Sequence, residues 1–133
     1  MATTHAEVVT PAGVLYSGDA EQVLCRSEGG EIAFLADHMP FLGALEAGQV
    51  RVDPEVGDSI HMAARSGFVE VRNNRVIILA DVAEKAADID VTDAQAAKEA
   101  AEQKISKAGG EGEAPDAEAD LRWAEVRLEV AGA

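Results

Sequence analysis

The sequence predicts a mainly β domain followed by two helices, and three observations carry that expectation. Residues 6 to about 82 are β-rich runs divided by Gly, Pro, Asn and Asp at roughly 8–12-residue spacing, the pattern of a sandwich or barrel. From Thr92 onward alanine dominates while β-branched residues recede. An acidic, Gly-rich stretch from 109 to 115 then splits that helical part in two. The expected division is a β domain over 1–88 and a helical hairpin over 89–133.

Each element has its own signal. "AEVVT" meets "PAGVLYSG", and "EQVLCRS" alternates before "EGGE". "QVRVD" puts Val50 and Val52 on one face, with "DPEVGD" as the turn after it, and "SIHMAAR" reads as another strand. In "GFVEVRNNRVIILAD" two strands flank Asn73-Asn74, a pair that tolerates the positive φ of a tight primed turn. "RVIIL" is apolar on both sides, as expected of a strand covered on both faces. Thr92 with Gln95 forms a capping box, so a helix is expected to start there, with Ala94, Ala97, Ala101 and Ile105 along one face. A second helix is expected from about Ala117 to Val130. Ala117, Leu121, Ala124 and Leu128 cluster on one side of it, and Ala119, Trp123, Val126 and Val130 lie nearly opposite.

Composition narrows the function. The 133 residues suit one compact domain with an appendage, and aromatics are only 4%, so the core must come from Val, Ile, Leu and Ala. The net charge of −14 repels phosphate backbones and anionic headgroups, so neither nucleic acid binding nor direct membrane insertion is expected. The lone Cys25 lies in a strand-like run and reads as a core residue. "MATTHAEVV" has neither a basic n-region nor an apolar h-region, so no signal peptide is expected.

Catalytic signatures are sparse. His5, His38 and His61 fall in no metal-ligand spacing, and there is no phosphate-cradling Gly-rich loop or nucleophile elbow. Glu31 and His38, in "GEIAFLADHMPFL", are the most plausible acid–base pair. If "EIAFL" is a strand they fall at its opposite ends, roughly 20 Å apart at about 3.3 Å per residue. No third group orients them. No metal site and no catalytic residue is expected.

Motifs in order along the whole chain then resemble one family. Val8-Val9-Thr10-Pro11 leads through Gly13 to Tyr16, Ser17 and Gly18; Gly30, Glu31, Ile32, Leu35, His38, Pro40 and Leu42 follow in register. Next come Gly48 to Val52, then Gly67 to Val71 with Asn74 and Leu79-Ala80-Asp81. Ala83-Glu84, Ala86 and Asp88-Ile89-Asp90 complete the pattern. The chain resembles the epsilon subunit of the F-type ATP synthase.

That resemblance implies a sandwich of about ten strands with two C-terminal helices. It implies a non-catalytic central-stalk subunit that couples ion translocation to ATP synthesis. The gamma subunit would be held by the sandwich, and the c-ring would be met near Glu31, His38, Met39 and Pro40. The helices would regulate ATP hydrolysis against the alpha and beta subunits, with Arg122, Trp123, Val126 and Arg127 as contacts. The implied place is the cytoplasmic face of a bacterial membrane, held peripherally through the complex. The alternative is a free-standing small-molecule sensor with the same fold.

Four departures from the family pattern stand out. Ala36-Asp37 replaces Pro-Gly before the histidine, and Ser66 replaces the first glycine of Gly-Gly-Phe. In some members ATP is a regulatory ligand; of that pattern Glu84 and Asp90 remain, but Asp93 stands at the arginine position, setting repulsion where a phosphate needs attraction. Weak or absent ATP binding, and no cofactor, are therefore expected. From 109 to 133, Arg122 and Arg127 face seven acidic residues, a net of −5 that opposes contact with an acidic partner.

Overall fold

The alternating runs become seven strands in a computed structural model that describes residues 2–132. They are β1 (Thr4–Thr10), β2 (Gly13–Ser27), β3 (Gly30–Leu35), β4 (Phe41–Ala44), β5 (Gly48–Pro54), β6 (Ile60–Arg72) and β7 (Arg75–Lys85). They belong to one unit that ends at Lys85, and a helical unit begins at Ala86.

Three of the strands change partners along their length. β2 pairs with β1 through Gly13–Ala20, then with β5 and β3 through Ala20–Ser27. β6 pairs with β5 through Ile60–Ala64 and with β4 through Phe68–Val71. β7 follows β6 throughout and pairs in parallel with β1 over Arg75–Leu79. One layer is thus β4, the end of β6, the start of β7, β1 and the start of β2. The other is β3, the end of β2, β5, the start of β6 and the end of β7. The expected count of about ten is met by segments and not by strands, because β2, β6 and β7 each serve both layers.

Between the layers the β-branched residues make the core. Val8, Val23, Val52, Val69, Ile78, Phe34 and Met62 are fully buried, and Val50, Val71 and Val76 nearly so. Each such side chain contributes about 1.5–3 kcal/mol of burial. The expected one-sided placement of Val50 and Val52 holds, and Asn73 and Asn74 take φ of 51° and 58°, the left-handed turn their sequence suggests. "RVIIL" differs from expectation. Val76, Ile78 and Ala80 are buried, but Leu79 on the opposite face is 50% exposed, so its apolar side chain lies on the outside of its layer.

The bend of β6 between layers falls at Ser66 (φ 60°) and Gly67 (φ 122°). A side chain at Gly67 would overlap the carbonyl oxygen of Leu79 on β7, so only glycine fits there.

In the second unit, a 3-10 turn (Ala86–Asp88) leads to α1 (Val91–Lys107) and α2 (Pro115–Ala131). α1 begins before the expected Thr92, because the Asp90 carboxylate accepts the Asp93 N–H and is the cap. α2 begins earlier than Ala117 because Pro115 takes the first turn, where its missing N–H costs nothing. Ala94 and Ala101 are buried and Ile105 half-buried, as the expected face requires, but Ala97 is exposed and Lys98 takes the central place. On α2, Ala117, Ala124 and Val130 are buried, Trp123 and Val126 half-buried, and Ala119 exposed, so the expected second face is not one continuous surface.

Gly67→Ala should destabilise the chain by about 3 kcal/mol or more, from overlap plus left-handed strain. Ser66→Gly, which relieves a left-handed serine, should stabilise it by up to about 1 kcal/mol. Thermal or urea unfolding checks both, and the opposite signs separate a steric effect from a purely local flexibility effect.

Candidate interaction surfaces

The loop after β3 is built by side chains from distant parts of the sequence. Asp37 adopts φ 59°, and its N–H donates to Asn74 Oδ1 at 2.8 Å. Asn74 Nδ2 donates to the Thr3 carbonyl at 2.9 Å, and the Asn74 carbonyl accepts the His5 N–H at 3.1 Å. One asparagine thus joins the β6–β7 turn, the start of β1 and the 36–40 loop. Asp37 keeps the left-handed turn that glycine would make in the family pattern.

His38 folds back over the sandwich end. Its N–H donates to the Leu35 carbonyl at 3.2 Å, and its ring meets buried Phe34 edge-on at 4.9 Å between centroids. Phe41 also packs against Phe34, with 5.4 Å between ring centroids. His38 Nδ1 lies 2.7 Å from the Met39 carbonyl oxygen. Met39 and Leu42 stand 72% exposed, with Pro40 exposed between them. Glu31, at the start of β3, sits on the exposed alternation opposite Ile32 and Phe34, roughly 13 Å of strand before Leu35. The structure does not bring Glu31 and His38 together.

A feature the sequence reading missed appears when strand registers are combined. Val14 pairs with Val9, Val9 with Leu79, Leu79 with Phe68, and Phe68 with Ala44. This apolar row crosses five strand segments on the outside of one layer, roughly 19 Å at about 4.8 Å per strand. Val14 is 64% exposed and Phe68 60%. Only pairing across 70 residues assembles it, so no local pattern announces it.

The outer face of the other layer carries a polar cluster bonded within itself, beside the exposed side chains of Leu35 and Val82. Asp53 accepts from Ser59 Oγ at 2.6 Å, Arg51 Nε at 3.0 Å and Gln22 Nε2 at 3.1 Å, and His61 Nδ1 lies 3.2 Å from Gln49 Oε1. Burial works to raise the Asp53 carboxyl, but these hydrogen bonds and the Arg51 charge outweigh it and hold the group below the usual carboxylate range.

The residues singled out in the helical part fall into different roles. Asp90 caps α1, and Glu84 is half-buried on β7. Arg122 is exposed, whereas Arg127 is buried and donates to Asp93 Oδ2 at 2.9 Å. Asp93, expected to repel, has a cation of its own. Cys25 is fully buried, and burial, then the Glu31 charge, pushes its thiol up to about 12. Among the described residues no His, Cys, Asp and Glu cluster could hold a metal ion, and no helix is long and apolar enough to cross a membrane.

Known proteins give this geometry a family. The beta-sandwich domain of the ATP synthase Delta/Epsilon chain matches residues 3–86, and the long alpha-helix domain of the same chain matches residues 87–132. The chain belongs to this family. Among its relatives, the ATP synthase epsilon chain of Halalkalibacterium halodurans is 43% identical over 99% of both chains. That of Brevibacillus brevis is 44% identical over 80% of this chain and 81% of its own. The fold recurs in a chain of the Euglena gracilis mitochondrial ATP synthase, solved with OSCP, F1 and c-ring, with a TM-score of 0.83 and 23% identity over all of this chain and 83% of the other. As an epsilon-type chain the protein is a subunit of ATP synthase and not an enzyme by itself, and the free-standing sensor is not favoured.

One substitution and one labelling experiment report on the geometry of this epsilon-type sandwich. Asn74→Gly keeps the left-handed turn but removes both side-chain bonds, and should cost about 2 kcal/mol. Amide exchange at Asp37 should rise by a larger factor than exchange in the core strands. Cys25, with no thiolate at neutral pH, should resist alkylation in the native chain and react stoichiometrically once the chain is unfolded. Mass spectrometry with and without urea reads this directly.

Proposed function

We propose that the chain is the central-stalk epsilon subunit of a bacterial F-type ATP synthase, held against the gamma subunit by the outer face of β1, β7, β6 and β4. The observation that carries this reading is the exposed apolar row Val14–Val9–Leu79–Phe68–Ala44. A monomeric surface seldom sets large apolar residues side by side over such a width without a partner. On the opposite layer the exposed Leu35 and Val82 pair with Gln22 and Arg65, so no apolar row of this width forms there.

The end of the sandwich that carries His38, Met39 and Pro40 is the foot that meets the c-ring. Met39 and Leu42 provide exposed apolar contacts there, and the Asn74 bond to Asp37 ties down the start of the loop that leads to them. Glu31 would meet the ring separately from His38. The membrane association is peripheral, at the cytoplasmic face, through the complex. The hairpin is the arm through which ATP hydrolysis is regulated, with Arg122, Trp123 and Val126 as its contacts on the alpha and beta subunits. Relatives named as ATP synthase epsilon chains support this reading, as does a structural neighbour solved together with F1 and a c-ring.

Replacing Phe68 with Glu and Leu79 with Gln, so that no two like charges face each other across the strands, tests the gamma contact. The side chains are exposed, so the unfolding midpoint should change little, while affinity for gamma should fall at least about 30-fold, or about 2 kcal/mol. Undiminished binding of the folded double variant would remove this face from the stalk. Co-purification of the chain with gamma and membranes is the positive control.

A further inference from the structure

The turn that joins β6 to β7 sets two arginines against each other. Arg72 and Arg75 are register partners on either side of Asn73-Asn74, and both are exposed on the outer face that carries the apolar row. Like charges directly opposite each other across an antiparallel pair weaken it. The chain holds 11 basic and 25 acidic residues, so two guanidinium groups meeting here run against both the local rule and the composition. Breaks of a local rule concentrate at functional positions.

Neighbouring acids do not cancel this pair. Combining registers gives the row Asp19–His5–Arg75–Arg72 along the foot edge of the face. His5 lies 3.0 Å from Glu7 and 3.8 Å from Asp19, and Arg75 lies 3.4 Å from Glu7, so the acids at that end have partners within the chain. At the other end Arg72 has no ion pair or hydrogen bond among the described residues. Beside the two arginines is a shallow notch of about 280 Å³ lined by Glu70, Arg72, Asn73, Arg75 and Ile77. Glu70 and Ile77, themselves register partners, form its wall toward the apolar row.

We propose that Arg72 and Arg75 form the acceptor for a carboxylate side chain on the partner that covers the apolar row. Guanidinium forks suit a carboxylate, and the methylenes of an Asp or Glu can lie against Ile77. One carboxylate sets a single negative charge against two positive ones. A lipid headgroup surface would bring many anions against Glu7, Glu70 and a chain of net charge −14, which disfavours it. Each arginine stands four residues from the apolar row on its own strand, Arg72 from Phe68 and Arg75 from Leu79, roughly 13 Å at about 3.3 Å per residue. The partner therefore carries an apolar strip and, about 13 Å from it toward the 73–74 turn, an acidic residue. The strip supplies affinity, and the carboxylate fixes which way round the partner lies. That the partner is gamma rests on the stalk reading.

The test is binding of the full-length chain to gamma, with thermal unfolding of each variant. It compares the parent, Arg72→Gln, Arg72→Glu and the apolar-row variant Phe68→Glu, Leu79→Gln, at low and high NaCl. Arg72→Glu should weaken binding about tenfold or more, and Arg72→Gln by less. Arg72→Glu should also raise the unfolding midpoint by about 2–4 °C, because an opposite-charge pair replaces a like-charge one. Weaker binding by a more stable chain does not come from misfolding. Added salt should weaken binding of the parent more steeply than binding of Arg72→Gln. Parent-like binding by Arg72→Glu, with the apolar-row variant weakened, would overturn the acceptor and leave the stalk reading standing. Undiminished binding by the apolar-row variant would count against the stalk face, and Arg72→Glu would still decide the acceptor. A lowered midpoint in Arg72→Glu would overturn the proposal, because the two arginines would then not oppose each other. Capture of the parent but not of Arg72→Glu by phosphatidylglycerol vesicles would assign the arginines to headgroups and overturn it as well.

Discussion

Strands β6 and β7 must leave one layer and enter the other side by side, and the backbone contact at Gly67 permits it. There the chain passes so close to the Leu79 carbonyl that no side chain fits. The contact fixes more than a bend. Immediately beyond it Phe68 pairs with Leu79, and the two-residue period of the strands sends both outward while Val69 and Ile78 go into the core. A slip of one residue would exchange those faces and bury the apolar row. Core and docking surface are two consequences of one register.

The departures from the family pattern keep its geometry and change its chemistry. Asp37 and Ser66 stand where that pattern has glycine, yet both keep left-handed backbones. Such a residue carries a strain of order 1 kcal/mol, and at Asp37 the bond from Asn74 offsets a comparable amount. The foot loop thus retains its turn and gains a negative charge beside His38. Asp93 follows the same logic in the hairpin: the charge is reversed, and a residue from the facing helix neutralises it.

What the sequence made legible was local. The alternation of Val50 and Val52, the Asn73-Asn74 turn and the break between the helices all rest on neighbours within a few residues. Two readings missed for a common reason: β2 continues through what looked like two strands, and "RVIIL" is covered on one face only. Both depend on which strands lie alongside, and that is a long-range property. The functional surface was the least legible part. His38 stood out only through the family pattern around it, whereas the bonds of Asn74 need partners 37 and 71 positions away, and the bond of Arg127 to Asp93 spans 34. No period or cap encodes such pairings.

The two outer faces of the sandwich explain how so acidic a chain can still present a docking surface. On one layer, Arg51, Asp53, Ser59 and Gln22 form a cluster in which charge and hydrogen-bonding capacity are used internally. A partner pressing there would have to desolvate these groups and replace bonds they already have, which opposes association. On the other layer, the row from Val14 to Ala44 carries no charge, so a partner covering it displaces water from apolar surface and breaks no ion pair. Glu7 and Glu70 flank that row in the neighbouring register, on either side of Ile77, and Arg75 lies 3.4 Å from Glu7. Charged groups thus stand beside the row and not in it, where they stay solvated and disfavour partners that lack a matching apolar strip. The polarity difference between the two layers supports the face proposed above for the stalk contact.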